Sequence, residues 1–282
     1  MPQKHIELSA QAKEANYKDA FRRGNVVFLP EEGSVVVTGD IHGHRRNFER
    51  IVTFAELDNH PERHVVLQEI IHGGAADEFG GCLSYKLLFD ALRYKLEFPD
   101  RVHLIMSNHD TAFICDADVM KDGKEMNRLM RMALDRRFGS ASREVKAAIA
   151  EYLLSQPLAV RCPNRVWISH SLPSDRFADK FDRGIFEREI GIKDCRRPGD
   201  VYLLTWGRNH SPENLRKVAA ELDVDIFILG HQEQEDGCGL GGENVMIVNC
   251  EHNHGCIVEI DLSKTYNVAE LLKGALPLAS IS

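Results

Sequence analysis

Short apolar runs rich in β-branched residues alternate along this chain with stretches whose apolar residues recur every three to four positions. Residues 34–38 (SVVVT), 64–67 (HVVL) and 102–106 (VHLIM) have the length and composition of buried strands. Between them, 45–57 and 83–96 carry the helical period. Strand–helix–strand alternation predicts an α/β fold. Residues 111–156 predict a mostly helical insertion, clearest over 141–154, where Pro157 supplies the stop. Two short strands follow, 158–161 and 165–169, about a Pro163-Asn164 turn. The stretch 211–222 opens on Ser, Pro and Glu, which suit the cap, first position and first turn of a helix. Residues 226–229, 245–248 and 257–260 predict further strands, 237–242 (GCGLGG) a loop, and the tail from Thr265 a short helix. No repeat or linker divides the chain, so residues 1–282 predict one domain, with its core over about 34–260.

Composition narrows the function classes. The chain is 43% hydrophobic, enough for a large core, and carries a net charge of −8. That balance predicts neither a nucleic-acid partner nor an anionic membrane partner, because both are polyanions. No apolar run approaches the length that spans a bilayer, and the first residues lack the charged-then-apolar order of a signal peptide. The seven cysteines show no framework spacing. The expectation is a cytoplasmic protein with reduced thiols.

The chemistry is concentrated where the predicted strands end. SVVVT runs into Gly39-Asp40-Ile41-His42-Gly43-His44, HVVL into Gln68-Glu69, and VHLIM into Ser107-Asn108-His109-Asp110. VWIS runs into His170, and IFIL into Gly230-His231. Five strands thus each lead into a carboxylate, an amide or an imidazole. In α/β sheets, ligands bind beyond the carboxyl ends of strands. Mixed imidazole and carboxylate donors suit zinc, iron or manganese. Two such ions about 3.5–4 Å apart can clamp the attacking and leaving oxygens of a phosphoryl transfer, provided that one carboxylate bridges them.

These blocks resemble the calcineurin-like metallophosphoesterases, and most closely their serine/threonine protein phosphatase branch. GDIHGH (39–44) matches the family's GDxHG, and SNHD (107–110) its GNHE. SHSLPSD (169–175) and GHQEQEDG (230–237) are similar to its later histidine blocks, and NCEHNHGCIVEI has the look of its last hairpin. The resemblance implies a four-layer αββα sandwich of two mixed sheets with a dinuclear site at strand ends. It further implies two divalent ions (Mn, Fe or Zn), with Asp40 and His42 on one, Glu69 bridging, and Asn108, His170 and His231 on the other. His109 would donate a proton to the leaving oxygen, and a metal-bound hydroxide would attack directly.

The second block departs from the family's GDxxDRG. Glu69 falls at the bridging Asp, His72 where an Asp orients the catalytic histidine, and Gly73 where an Arg grips phosphate. If these departures limit turnover, a Glu69→Asp, Gly73→Arg variant should be faster. Candidates to contact the substrate instead are Arg208, Arg45, His44 and His72. Cys250-x-His252-x-His254-x-Cys256 invites a second metal reading, but a turn at HNHG would bring one histidine toward the main site instead. Three functions fit: hydrolysis of a phosphomonoester on a protein or small molecule, hydrolysis of a nucleotide or dinucleotide polyphosphate, and metal-dependent binding of phosphorylated partners with weak turnover.

Overall fold

The computed structural model describes residues 1–282, and two mixed β-sheets form its frame. The five-stranded sheet runs Leu276–Pro277, Cys256–Asp261, Ser34–Asp40, Arg63–Gln68, Val102–Ile105. The last three strands are parallel. Their valine-rich composition suits strands covered on both faces, and Val35, Val36, Val37, Val65, Val66 and Leu67 are fully buried. Helices Arg45–Ala55 and Ser84–Glu97 make the return connections.

The seven-stranded sheet runs Arg22–Arg23, Val26–Phe28, Ala159–Arg161, Val166–Ser169, Ile226–Leu229, Val245–Val248, Cys238–Gly242. Its strands Val166–Ser169, Ile226–Leu229 and Val245–Val248 are parallel to one another. The two sheets share one core of 75 buried residues, in the expected αββα arrangement. They meet where the parallel strands end. Asp40 bridges to Asn249, and a Cβ on Gly39 would stand 1.7 Å from the carbonyl oxygen of Val248. Only glycine permits that approach, and it brings the C-terminal ends of both sets of parallel strands together.

The structure departs from the periodicity in three places. The stretch 111–156 is not continuous helix: between Asn108–Cys115 and Met126–Phe138 a hairpin pairs Met120–Lys121 with Lys124–Glu125. Its turn is Asp122-Gly123, both at positive φ (51° and 72°), as a two-residue hairpin turn requires. The glycine-rich 238–242 is an edge strand antiparallel to Val245–Val248, not a loop. The N-terminal helix Pro2–Lys18 buries Ser9, Ala12 and Asn16, small or polar residues that produce no apolar stripe. No helix is long and apolar enough to cross a membrane.

Candidate active site

Asp40 closes its strand, and Glu69, Asn108, His170 and His231 each stand one to three residues beyond theirs. All five are buried, as are His42 and His109. The turns that carry them are strained. Of ten non-glycine residues at positive φ, four are His42, Glu69, His72 and His231. Such conformations each cost on the order of 1–3 kcal/mol and persist where the surroundings hold them. Here the loops hold each other: the amides of Ile41 and His42 donate to Glu69 O (3.2 and 2.7 Å), and Gly43 N donates to Ile70 O (2.8 Å).

The donor atoms converge. One carboxylate oxygen or ring nitrogen from each of Asp40, Glu69 and His170 lies within 4.8 Å of the others, and the same holds for His42, Glu69 and His109. Glu69 is common to both groups. Asn108 Oδ1 lies 2.8 Å from His170 Nε2 and 3.1 Å from His231 Nδ1.

The hydrogen bonds decide whether this pocket fits a cation. Gln68 Nε2 donates to Thr38 O (2.8 Å), which leaves Gln68 Oε1 as an acceptor for His170 Nδ1–H at 3.3 Å. The lone pair of neutral His170 is then on Nε2. It faces two further acceptors, Asn108 Oδ1 at 2.8 Å and Glu69 Oε2 at 3.0 Å. Such a buried cluster needs a proton on Glu69 or a metal ion among the three groups, and its imidazole, amide and carboxylate are the donor types that divalent metals take. His42 repeats the pattern: Nδ1 donates to Ile71 O (3.0 Å), freeing Nε2, as metal-ligating histidines do. The donor set therefore fits divalent ions.

Without an ion, burial dominates the electrostatics. It pushes Asp40 up to about 6 and Glu69 up to about 8, the latter against the Ser107 hydroxyl that donates to it. It pulls His42 down to about 4 and His109 well below the ordinary histidine value. A bound cation reverses this preference for the neutral carboxyl forms.

Asp40, His42, Glu69, Asn108, His109 and His231 line a cavity of about 190 Å³ that also takes Arg208. The remaining expected contacts lie elsewhere. His44 caps helix Arg45–Ala55, accepting from Asn47 N at 3.2 Å. Arg45 pairs with Asp90 at 2.6 Å. Both border a separate surface groove. His72 is fully buried behind the wall, its Nδ1 3.0 Å from His109 Nδ1, so it braces His109 and does not face the cavity. His252 turns to Gln234 O (2.8 Å) and His254 is exposed; neither lines the cavity. Glu251 does, with Met120, Lys121, Asp122 and Glu233. Glu251 follows the parallel strand Val245–Val248, so the same strand-end reasoning could have found it. The Asp-Gly turn could have found the hairpin that brings Lys121.

The family model of the calcineurin-like phosphoesterases matches residues 33–234. Among solved structures, a protein serine/threonine phosphatase from Saccharomyces cerevisiae with similarity to human phosphatase PP5 superposes with a TM-score of 0.69 at 14% identity, covering 93% of this chain and 83% of its own. The cold-active protein-tyrosine phosphatase of a psychrophilic Shewanella superposes with a TM-score of 0.59 at 15% identity, covering 89% and 80%. At these identities the likeness is one of fold. No sequence among curated proteins matches the chain.

Proposed function

The chain belongs to the calcineurin-like phosphoesterase family, a family of phosphoester hydrolases that use divalent metals, and on that premise we propose that it is a phosphomonoesterase. Asp40, His42, Glu69, Asn108, His170 and His231 would hold two divalent cations, with Glu69 shared between them. The pair, when bound, supplies Lewis acidity to a water and to the phosphoryl oxygens.

The protein's own groups do the rest. His109 lies at the cavity wall and delivers a proton to the leaving oxygen. His72 fixes the plane of His109 through their 3.0 Å contact. A neutral imidazole steadies a cationic His109 less than a carboxylate would, so the reaction runs with a more acidic proton donor. Arg208 offers a guanidinium to the phosphoryl oxygens.

The observation that carries this reading is His170 Nε2 facing two acceptors in a buried cluster. A phosphomonoester suits the cavity better than a polyphosphate, because the carboxylates of Asp122, Glu233 and Glu251 stand among its lining and repel extra phosphates. Two structural neighbours are protein phosphatases by name, so phosphoserine, phosphothreonine and phosphotyrosine peptides are the first substrates to assay. The seven free thiols support a cytoplasmic setting.

The test is turnover of a chromogenic phosphomonoester with added manganese, before and after chelation. Activity that chelation abolishes and manganese restores supports the reading. No turnover of this ester or of the phosphopeptides, by protein with its metals in place, sinks it.

A further inference from the structure

Lys121 and Arg208 are the two cations that line the cavity, against the carboxylates of Asp40, Glu69, Asp122, Glu233 and Glu251. Lys121 reaches in from the hairpin, and its ammonium pairs with Glu251 Oε2. Glu251 itself stands 3.9 Å from His42 Nε2, so the ammonium is held beside the converging donor atoms. We propose that Lys121, together with Arg208, clamps the substrate's phosphoryl oxygens, exchanging its resting partner Glu251 for the substrate. This rests on the phosphomonoesterase reading above and adds a second cation to its phosphoryl site.

Three observations carry it. First, the loop packed against His42 at Gly73 cannot supply a cation from that position. A Cβ on Gly73 would stand 2.2 Å from the carbonyl oxygen of His42, so that position stays bare. The hairpin fills the wall instead. Second, the two partners differ in freedom. Glu251 is fixed through Asn249, whose Oδ1 accepts from Glu251 N (3.0 Å) and whose Nδ2 donates to Glu251 Oε1 (3.3 Å). Lys121 sits on a hairpin of two residue pairs whose Met120, Asp122 and Lys124 are exposed, at the end of a flexible four-carbon stem. The lysine, not the glutamate, is the member that can move. Third, a phosphoryl group carries up to two negative charges against the one of Glu251, so the exchange favours the substrate once it is in reach. Met120 and Asp122 then border the leaving group, which favours a compact, uncharged or cationic carrier over a polyphosphate.

The test begins with bound metal per chain for the wild-type, Lys121→Met, Lys121→Arg and Glu251→Gln proteins. Inorganic orthophosphate is then titrated into each manganese-loaded protein by calorimetry. The expected result is unchanged metal content throughout and orthophosphate binding weakened by about 10- to 100-fold in Lys121→Met. Lys121→Arg should recover to within about threefold of wild type, because the charge is kept. Glu251→Gln should bind orthophosphate at least as tightly as wild type. The KM for a chromogenic phosphomonoester should rise in Lys121→Met by more than kcat falls. Wild-type orthophosphate affinity in Lys121→Met overturns the clamp. So does loss of metal in Lys121→Met or Glu251→Gln, which would make the pair a support of the metal ligands. A wild-type protein that binds no metal removes the hydrolase reading itself, and the clamp with it, and the first measurement shows this before any phosphate is added.

Discussion

Substituting alanine for Gly73 should disable the site from a position that touches no substrate. The added Cβ would stand 2.2 Å from the carbonyl oxygen of His42 and 2.9 Å from both its carbonyl carbon and its Cβ. Even weak C–H···O contacts lie near 3.3–3.6 Å, so the two loops must part by roughly 1 Å. Neither can yield alone. Ile41 N and His42 N are bonded to Glu69 O, Gly43 N to Ile70 O, and His42 Nδ1 to Ile71 O. His42 already sits at φ 43°. The displacement therefore carries its imidazole along. A misplacement of about 1 Å in catalytic machinery costs on the order of 100-fold in rate, and overpacking costs about 1–3 kcal/mol of stability. The assay is kcat/KM on a chromogenic phosphomonoester at saturating manganese, with thermal unfolding alongside. Gly191→Ala is the control, because its Cβ would meet nothing nearer than 3.6 Å. The expectation is a loss of about 100-fold for Gly73→Ala and less than twofold for the control. Wild-type turnover in Gly73→Ala would refute the reasoning. The same contact reverses the expectation for Glu69→Asp, Gly73→Arg: the arginine's own Cβ meets the His42 carbonyl, so this variant should be slower than wild type.

His109→Ala should lower kcat by about 10²- to 10⁴-fold with metal content unchanged; a rate within tenfold of wild type would exclude it as the proton donor. Far from the site, Lys95 Nζ and His103 Nδ1 contact the buried Asp19 carboxylate at 3.1 and 3.0 Å. Lys95→Met leaves that carboxylate without its lysine and should cost about 3–5 kcal/mol in urea unfolding, and a loss below about 1 kcal/mol would contradict the pairing. Burial, then the neighbouring His103, pulls His64 down to about 3. Between that value and the ordinary histidine value near 6.5, the unfolded chain binds a proton that the folded chain refuses. Its contribution is therefore present above pH 6.5 and is lost as pH falls toward 3, with a slope approaching 1.4 kcal/mol per unit. Unfolding of His64→Gln over pH 4–7 should lose that part of the slope, and an unchanged slope would count against it.

What the sequence revealed, and what it hid, follows from the physics of each element. The parallel strands of the five-stranded sheet were legible because burial on both faces demands unbroken runs such as Val35-Val36-Val37. The residues beyond them were legible because five such runs each lead into a carboxylate, an amide or an imidazole, where a single one would read as a turn or a cap. The Met120–Glu125 hairpin was not, since two residue pairs are too few to show a period and lie among helices. The N-terminal helix packs through Ala12, Ile6 and Leu8 and through polar contacts such as Asn16 Nδ2 to Ser155 Oγ at 3.0 Å, too few apolar positions to show a stripe. Glu251 was masked by the more conspicuous cysteines and histidines around it. His72 was placed in the right loop, but its direction depends on the positive φ of 66° at that residue, which residue identity alone does not disclose.

Glu69 is proposed to join two cation sites, and bound metal per chain reads that role without any assay of turnover. Wild-type protein purified without chelator and Glu69→Ala, each equilibrated with manganese and desalted, would be compared by elemental analysis. About two ions per chain are expected in the wild type and one or fewer in the variant. No metal in the wild type, or an undiminished two in Glu69→Ala, would contradict that role.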